Sequence, residues 1–141
     1  MTLQFDEDVV IAKLSDLQTS LDRIRDVSVA GDEYQRWMID DLYTLYLQRA
    51  VEACIDLANH LIAENGWETP KAAADGFEVL RDQGLLDTDF AQTLRSMVGF
   101  RNIAVHAYGS LNVEVVRKIV AEDLDDLRQF ARLITERTVG N

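Results

Sequence analysis

The sequence contains few of the residues that mark a disulfide-bonded or a disordered chain. Its 141 residues include one cysteine, one proline and seven glycines, while 48% of them are hydrophobic. An internal disulfide is therefore excluded, and the apolar neighbours of Cys54 predict a buried core side chain rather than a nucleophile. Scarce glycine and proline indicate a folded chain, and the length predicts a single domain over residues 1–141.

Long apolar runs are also missing, and none approaches the length of a membrane-spanning helix. The N-terminal segment carries Asp6, Glu7 and Asp8 where a secretory signal would carry basic residues. We therefore expect a cytoplasmic protein that is not attached to a membrane.

Positive charge is scarce as well, because 14 lysines and arginines stand against 25 acidic residues and the net charge is -11. Such a balance argues against nucleic-acid binding, which usually needs a basic surface. Residues 95–118 are an exception, since their four basic residues face Glu114 alone. The basic residues of this segment are Arg95, Arg101, Arg117 and Lys118. Two interpretations stay open: the segment steers an anion to one place, or these residues are grouped by chance.

Apolar residues recur at helical spacing along most of the chain, and no segment predicts a strand. The predicted helices cover residues 6–28, 33–64, 70 to about 84, 88 into the stretch 99–108, and 113 to about 138. Side chains that can cap a helix precede the last three, namely Thr69, Asp87 or Thr88, and Asn112. Pro70 suits a first helical position, and Asn65-Gly66 suits a helix end. We expect an all-α antiparallel four-helix bundle with an additional short helix.

One stretch, Gly99–Tyr108, holds most of the clustered chemistry. Arg101, Asn102, His106 and Tyr108 fall within eight residues, in a chain that has only two histidines. Arginine binds phosphate oxygens through a fixed cationic fork, and histidine exchanges protons near neutral pH. The stretch therefore predicts phosphodiester chemistry.

Helix geometry constrains how these side chains act together. Asn102 and His106 share one helix face, whereas Arg101 and His106 lie about 140° apart if the helix is regular. Three solutions remain open: the helix loosens near His106, the arginine reaches round, or a second subunit completes the site. In a non-catalytic interpretation, His106 caps the helix end and Arg101 forms a surface ion pair. Tyr108 should lie just beyond the helix and be exposed.

The predicted second helix carries a polar stripe along an otherwise apolar pattern. Its members are Arg49, Glu52, Asp56, Asn59 and His60. One interpretation is a solvated face with ion pairs such as Arg49 with Glu52. The other is that the stripe faces the Gly99–Tyr108 stretch, where its side chains contact and orient Arg101 and His106 without touching the substrate.

A di-metal helical bundle is a rival class, because acidic residues are abundant. That chemistry uses Glu-x-x-His pairs that project into the bundle, and neither His60 nor His106 has a glutamate three residues before it. We therefore expect no metal and no cofactor.

Two blocks of the sequence resemble the HepT-like toxins of the HEPN superfamily. Residues 97–108 are similar to the family signature, in which Arg, four residues, His, one residue and Tyr are the defining elements. Residues 47–60 look like the block on the family's second helix, so the resemblance covers essentially the whole chain. The commoner family pattern has acidic residues where Ala107 and Asn112 stand here, which puts an auxiliary acidic role in doubt.

The resemblance implies a HEPN-like helical domain that acts as a homodimeric, metal-independent endoribonuclease. By this resemblance it is the toxin of a type II or type VII-like toxin–antitoxin pair, with a MntA-like nucleotidyltransferase antitoxin that silences it by AMP transfer to Tyr108. Arg101, His106 and Asn102 would act on RNA through attack of the 2′-hydroxyl, with Arg49, Glu52 and Asp56 behind them. The alternative is a non-catalytic helical dimer that only binds such a nucleotidyltransferase.

Overall fold

The computed structural model describes residues 2–140, which are largely helical and contain no strand. The α-helices are α1 (Glu7–Val29), α2 (Arg36–Glu64), α3 (Asp75–Asp82), α4 (Thr88–His106), α5 (Val113–Lys118) and α6 (Leu124–Arg137). A π-helical turn over Ile119–Asp123 joins α5 to α6, so these two form one long element. With α1, α2 and α4 it makes four long helices, and α3 is the additional short one. The expected all-α bundle is confirmed.

Helices α1 and α2 form an antiparallel pair that is tied at both ends. Near the start of α1, the Asp6 backbone N–H donates a hydrogen bond to His60 Nε2 at 2.9 Å. Near its end, the Ser28 and Tyr43 hydroxyls lie 2.8 Å apart. α2 also contacts α3, α4, α5 and α6, so it is the central helix of the bundle. Any side chain on α2 therefore lies close to at least one other helix or to solvent between two of them.

The buried side chains of residues 2–140 form one contiguous apolar cluster. Phe77 of α3 and Phe130 of α6 meet edge to face, with their ring centroids 5.7 Å apart. Cys54 belongs to this cluster, and burial raises the pKa of its thiol. The predicted core role of Cys54 is confirmed. Within the described residues, no helix combines the length and the apolar composition that crossing a membrane requires.

The predicted start of the third helix is wrong. α3 begins at Asp75, and Thr69 and Pro70 precede a series of bends and turns instead of capping a helix. Lys71 and Ala72 are exposed, whereas full burial begins at Gly76, which packs closely against α2. A short helix is marginal without tertiary packing, so it forms only where burial begins.

Helix α4 starts and ends as the sequence predicts. The Asp87 side chain caps it by accepting a hydrogen bond from the Phe90 N–H at 2.7 Å. The helix stays regular through His106, where the Ala107 N–H still donates to the Ile103 carbonyl at 2.9 Å. Ala107 then leaves the helical region with φ -145 and ψ 47. The chain therefore turns directly after His106.

Asn112 caps the last long element as expected, accepting from the Glu114 N–H at 3.0 Å. The sequence predicts one regular helix from there to about residue 138. The π-helical turn over Ile119–Asp123 is a correction to that prediction, because it inserts a wider turn into the helix. Apolar spacing hides this turn, because Val120 fits a regular stripe between Val116 and Leu124, whereas the buried residue in the structure is Ile119.

Candidate active site

Arg101 lies on the side of α4 that faces α2 and is half-buried. It lines a small cavity of about 160 Å³ together with Glu52, Ile55 and Asp56. Its buried Nε has no hydrogen-bond partner, and no carboxylate within residues 2–140 lies within 4.0 Å of its guanidinium. The expected surface ion pair of the non-catalytic interpretation is therefore absent among these residues. A guanidinium without a partner retains its capacity to bind an anion.

Of the three α2 residues expected to support Arg101, Glu52 and Asp56 line its cavity and Arg49 does not. Asp56 is bound by Lys13 at 3.0 Å, and this hydrogen bond raises the pKa of Lys13. Glu52 accepts a weak hydrogen bond from the Gln48 side chain at 3.4 Å. Both carboxylates have other partners, so they border the arginine without neutralising it.

Arg49, the remaining candidate of that stripe, points elsewhere. Its guanidinium carbon lies 5.5 Å from the Tyr46 ring centroid, as in a cation–π contact. It lines a larger neighbouring cavity of about 300 Å³ with Lys13 and Asp16, among others. The structure therefore gives Arg49 no contact with Arg101, and the predicted ion pair with Glu52 does not form.

His106 and Asn102 are exposed on the last turns of α4. Because the helix is regular up to His106, these two share a face and Arg101 lies about 140° away from His106. Of the solutions considered, loosening of the helix near His106 occurs only after this residue, at Ala107, so it does not bring His106 towards Arg101. One chain therefore brings Arg101 together with Glu52 and Asp56, but does not aim Arg101 and His106 at one point.

Tyr108 is the first residue of a 3-10 turn just beyond α4, and 53% of its surface is exposed. Its predicted exposure is confirmed. The hydroxyl donates a hydrogen bond to Asp41 Oδ1 at 2.6 Å. This hydrogen bond, followed by burial and the neighbouring negative charge, raises the pKa of Tyr108. The hydroxyl is thus reachable from solvent and held in one direction.

The basic residues of segment 95–118 that lie outside the motif are all ion-paired. Arg95 binds Asp75 at 3.3 Å and also binds Glu78. Lys118 lies 3.8 Å from Glu122. These pairs offset much of the local positive charge, which favours the interpretation that the basic residues are grouped by chance.

Arg117 is the most firmly held of these residues. It contacts Glu114 and makes a bidentate pair with Asp40, and the Asp40 carboxylate raises the pKa of Arg117. Arg101 is the member of the segment for which residues 2–140 provide no ion pair.

Sequence reasoning missed Asp40 and Asp41, which connect α2 to the residues after α4. Their partners lie 77 and 67 residues away along the chain. Acidic residues near the start of a helix usually indicate a solvent-exposed surface. The neighbouring sequence therefore could not have predicted these contacts. His60 is occupied by the Asp6 N–H, as fits a structural residue. The described part of the chain has no cluster of three or more side chains that could hold a metal ion.

Comparison with known proteins identifies the family of this chain. A sequence model described as "Ribonuclease HepT-like" matches residues 17–134. The chain belongs to the HepT-like ribonuclease family. Among curated HepT-like proteins, it is 36% identical over 128 residues to the mRNA nuclease HepT of Shewanella oneidensis, covering 90% of this chain and 96% of that relative.

Several solved structures share the fold of this chain. One is a tri-AMPylated Shewanella oneidensis HEPN toxin in complex with MNT antitoxin, with TM-score 0.84, 35% identity and coverage of 92% of this chain and 98% of that one. Another is a toxin–antitoxin with AMP-PNP, with TM-score 0.81, 34% identity and coverage of 90% and 98%. The cytosolic protein YutE of Bacillus subtilis, at 15% identity and TM-score 0.79, covers 96% of this chain and 92% of its own and shows the fold alone. The expected HepT-like ribonuclease class is confirmed.

Proposed function

We propose that this chain is the toxin of a toxin–antitoxin pair and a metal-independent endoribonuclease that cleaves RNA through attack of the 2′-hydroxyl. The observation that carries the proposal is the half-buried Arg101, whose Nε has no partner and whose charge has no carboxylate within ion-pair distance among residues 2–140. Residues 1–141 act as one HEPN-like helical domain. The relative named as an mRNA nuclease supports RNA as the substrate class.

RNA carries its own nucleophile, so the enzyme needs to move protons and to stabilise a charged phosphorane. His106, exposed at the end of α4, exchanges the protons of the 2′-hydroxyl and of the leaving oxygen. Arg101 binds the phosphate and offsets the charge that develops on it. Asn102 lies one turn before His106 on the same face and orients the histidine or the substrate. Glu52 and Asp56 of α2 line the cavity beside Arg101 without binding its guanidinium, which leaves the guanidinium free for the phosphate.

The active form is a homodimer in which Arg101 of one protomer acts with His106 of the other. The 140° offset on a regular helix supports this arrangement, because a single chain does not direct both side chains to one phosphate. Ile103 and Val105 lie between Arg101 and His106 and are 43% and 42% exposed. Exposed apolar side chains of this kind are typical of a surface that packs against another subunit.

A partner nucleotidyltransferase, of the kind seen with the solved relatives, silences the enzyme by transferring AMP to Tyr108. The exposed hydroxyl is reachable, and Tyr108 lies two residues after His106. An attached AMP adds negative charge and bulk beside the histidine, which excludes an RNA phosphate without unfolding the bundle. A cytoplasmic location is part of this proposal, because the RNA substrate and the partner enzyme are expected there.

The test is an RNA cleavage assay with purified protein and a metal chelator present. Wild-type protein should cleave, and His106→Ala and Arg101→Ala should each lower the rate by about two to four orders of magnitude. Arg132→Ala is the matched control, because Arg132 is an exposed arginine on α6 far along the chain from the motif. Cleavage that needs added metal, or that survives both motif substitutions, would overturn the proposed mechanism. No cleavage by wild-type protein would favour the non-catalytic dimer.

A further inference from the structure

The hydrogen bond between Tyr108 and Asp41 has no part in the RNA chemistry described above. It joins the turn after α4 to α2 across 67 residues of sequence, with Oη and Oδ1 2.6 Å apart. Both side chains are exposed, so a second protein can reach the pair. The phenolic proton already points at a carboxylate oxygen.

The neighbourhood of Asp41 leaves its charge available to Tyr108. The adjacent Asp40 is occupied by Arg117, which binds it through two nitrogens. Asp41 itself forms no ion pair with any side chain of residues 2–140. It therefore stays an anionic acceptor whose one side-chain partner in this range is the Tyr108 hydroxyl.

Transfer of a nucleotidyl group to a tyrosine requires that the hydroxyl lose its proton. A tyrosine hydroxyl ordinarily keeps its proton at neutral pH, and the hydrogen bond to Asp41 raises the pKa of Tyr108 further, so the phenolate is not formed in advance. The proton must then leave while the oxygen attacks, and a base must lie within hydrogen-bond reach of it. Asp41 satisfies that distance.

We propose that Asp41 is the proton acceptor for nucleotidyl transfer to Tyr108, so that the toxin itself supplies a base for its own modification. This inference rests on the proposed function, in which Tyr108 receives AMP. In the step, a bond forms between Tyr108 Oη and the α-phosphorus of a nucleoside triphosphate. The bond from that phosphorus to the bridging oxygen breaks, and pyrophosphate leaves with the electron pair. The phenolic proton passes to Asp41 Oδ1 and then to solvent.

The experiment measures the initial rate of AMP incorporation by intact mass, with the purified partner nucleotidyltransferase, Mg²⁺ and ATP. Asp41→Asn keeps the size and an acceptor oxygen but cannot take up the proton, so its rate should fall about 100-fold or more. Asp32→Asn is the matched control, because Asp32 is an exposed carboxylate in the turn before α2, and it should react at the wild-type rate. Asp41→Ala should regain part of the lost rate when formate is added as a small external base.

The possible results test the modification of Tyr108 and the role of Asp41 separately. If wild-type protein takes up no AMP, or Tyr108→Phe takes up as much as wild type, the proposed regulation fails whatever Asp41 does. If wild type is modified on Tyr108 and Asp41→Asn reacts equally fast, Asp41 is not the proton acceptor. If the variant is slow only because it binds the transferase more weakly, and formate does not restore Asp41→Ala, Asp41 is a docking residue and the proposal is overturned.

Discussion

Arg117 donates two hydrogen bonds to the carboxylate of Asp40, with Nε–Oδ1 at 3.0 Å and Nη2–Oδ2 at 2.7 Å. Asp40 is 8% exposed, so this pair is a structural link between α2 and α5. A guanidinium engaged in this way contributes little to binding an external phosphate. The local excess of arginine and lysine therefore overstates the positive charge that RNA meets.

The salt dependence of RNA binding tests whether the ion-paired basic residues contribute to RNA binding. Arg101→Gln should reduce the slope of log affinity against log salt by about 1, because it removes a phosphate contact. Arg95→Gln and Lys118→Gln should leave the slope nearly unchanged, since both residues are already ion-paired. The measurement is a binding titration between about 50 and 200 mM salt. Equal flattening by Arg95→Gln would restore the steering interpretation.

Capping residues in the sequence correctly predicted where α4 and α5 begin. Asp87 and Asn112 cap α4 and α5 because a short side chain before an amphipathic run accepts a backbone N–H two or three residues later. Thr69 carries the same kind of signal, yet no helix follows it until Asp75. The difference is tertiary, since the residues directly after Thr69 bury too little surface to hold a helical turn.

The contacts that organise the site could not be predicted from one sequence. The family signature identifies Arg101, His106 and Tyr108, but which α2 side chains lie beside Arg101 and Tyr108 depends on how the helices pack. Asp41 meets Tyr108 only because α4 ends beside the first turns of α2. An acidic residue at that position has no spacing relationship to the motif.

A shared active site predicts complementation between two inactive variants. A mixed dimer of Arg101→Ala and His106→Ala protomers contains one site with both functional side chains if each site uses residues of both subunits. Random mixing after co-refolding should therefore restore about a quarter of wild-type cleavage, since half of the dimers are mixed and each has one intact site. Each variant alone should remain inactive. No recovery in verified mixed dimers would mean that both side chains act within one chain.

The Tyr108–Asp41 hydrogen bond should restrain the turn after α4. Tyr108→Phe removes the donor, so the amides of residues 107–112 should exchange with deuterium faster, by up to about tenfold for one exposed hydrogen bond. Tyr46→Phe serves as the control, because the Tyr46 hydroxyl makes no hydrogen bond within the described residues. Hydrogen exchange with mass analysis checks both. Unchanged protection in Tyr108→Phe would show that the backbone bonds of the turn suffice.

Asp126 makes stability depend on pH. Burial, followed by the charges of Asp123 and Asp125, raises the pKa of Asp126 in the folded protein. Its ionised form is thus disfavoured by folding, and the resulting loss of stability is present at neutral pH and disappears as the pH falls through the folded pKa.

Asp126→Asn should therefore raise the thermal midpoint at pH 7, and this advantage over wild type should shrink towards zero in acid. Thermal unfolding followed by circular dichroism between about pH 3 and 7 measures it. Glu68→Gln, at an exposed loop carboxylate, should show no such trend. A variant less stable than wild type at pH 7 would contradict the sign of the effect.

The central claim is that Arg101 and His106 cleave RNA by using its own 2′-hydroxyl. The most direct measurement compares an RNA with the same strand blocked by 2′-O-methylation at the mapped cleavage position, in the presence of a chelator and with wild-type and His106→Ala proteins. We expect wild-type protein to cut the unmodified RNA, to leave a 2′,3′-cyclic phosphate and to spare the methylated position. The His106→Ala protein should cut neither RNA at an appreciable rate. Cleavage at the methylated position, or equal cleavage by His106→Ala, would contradict the account.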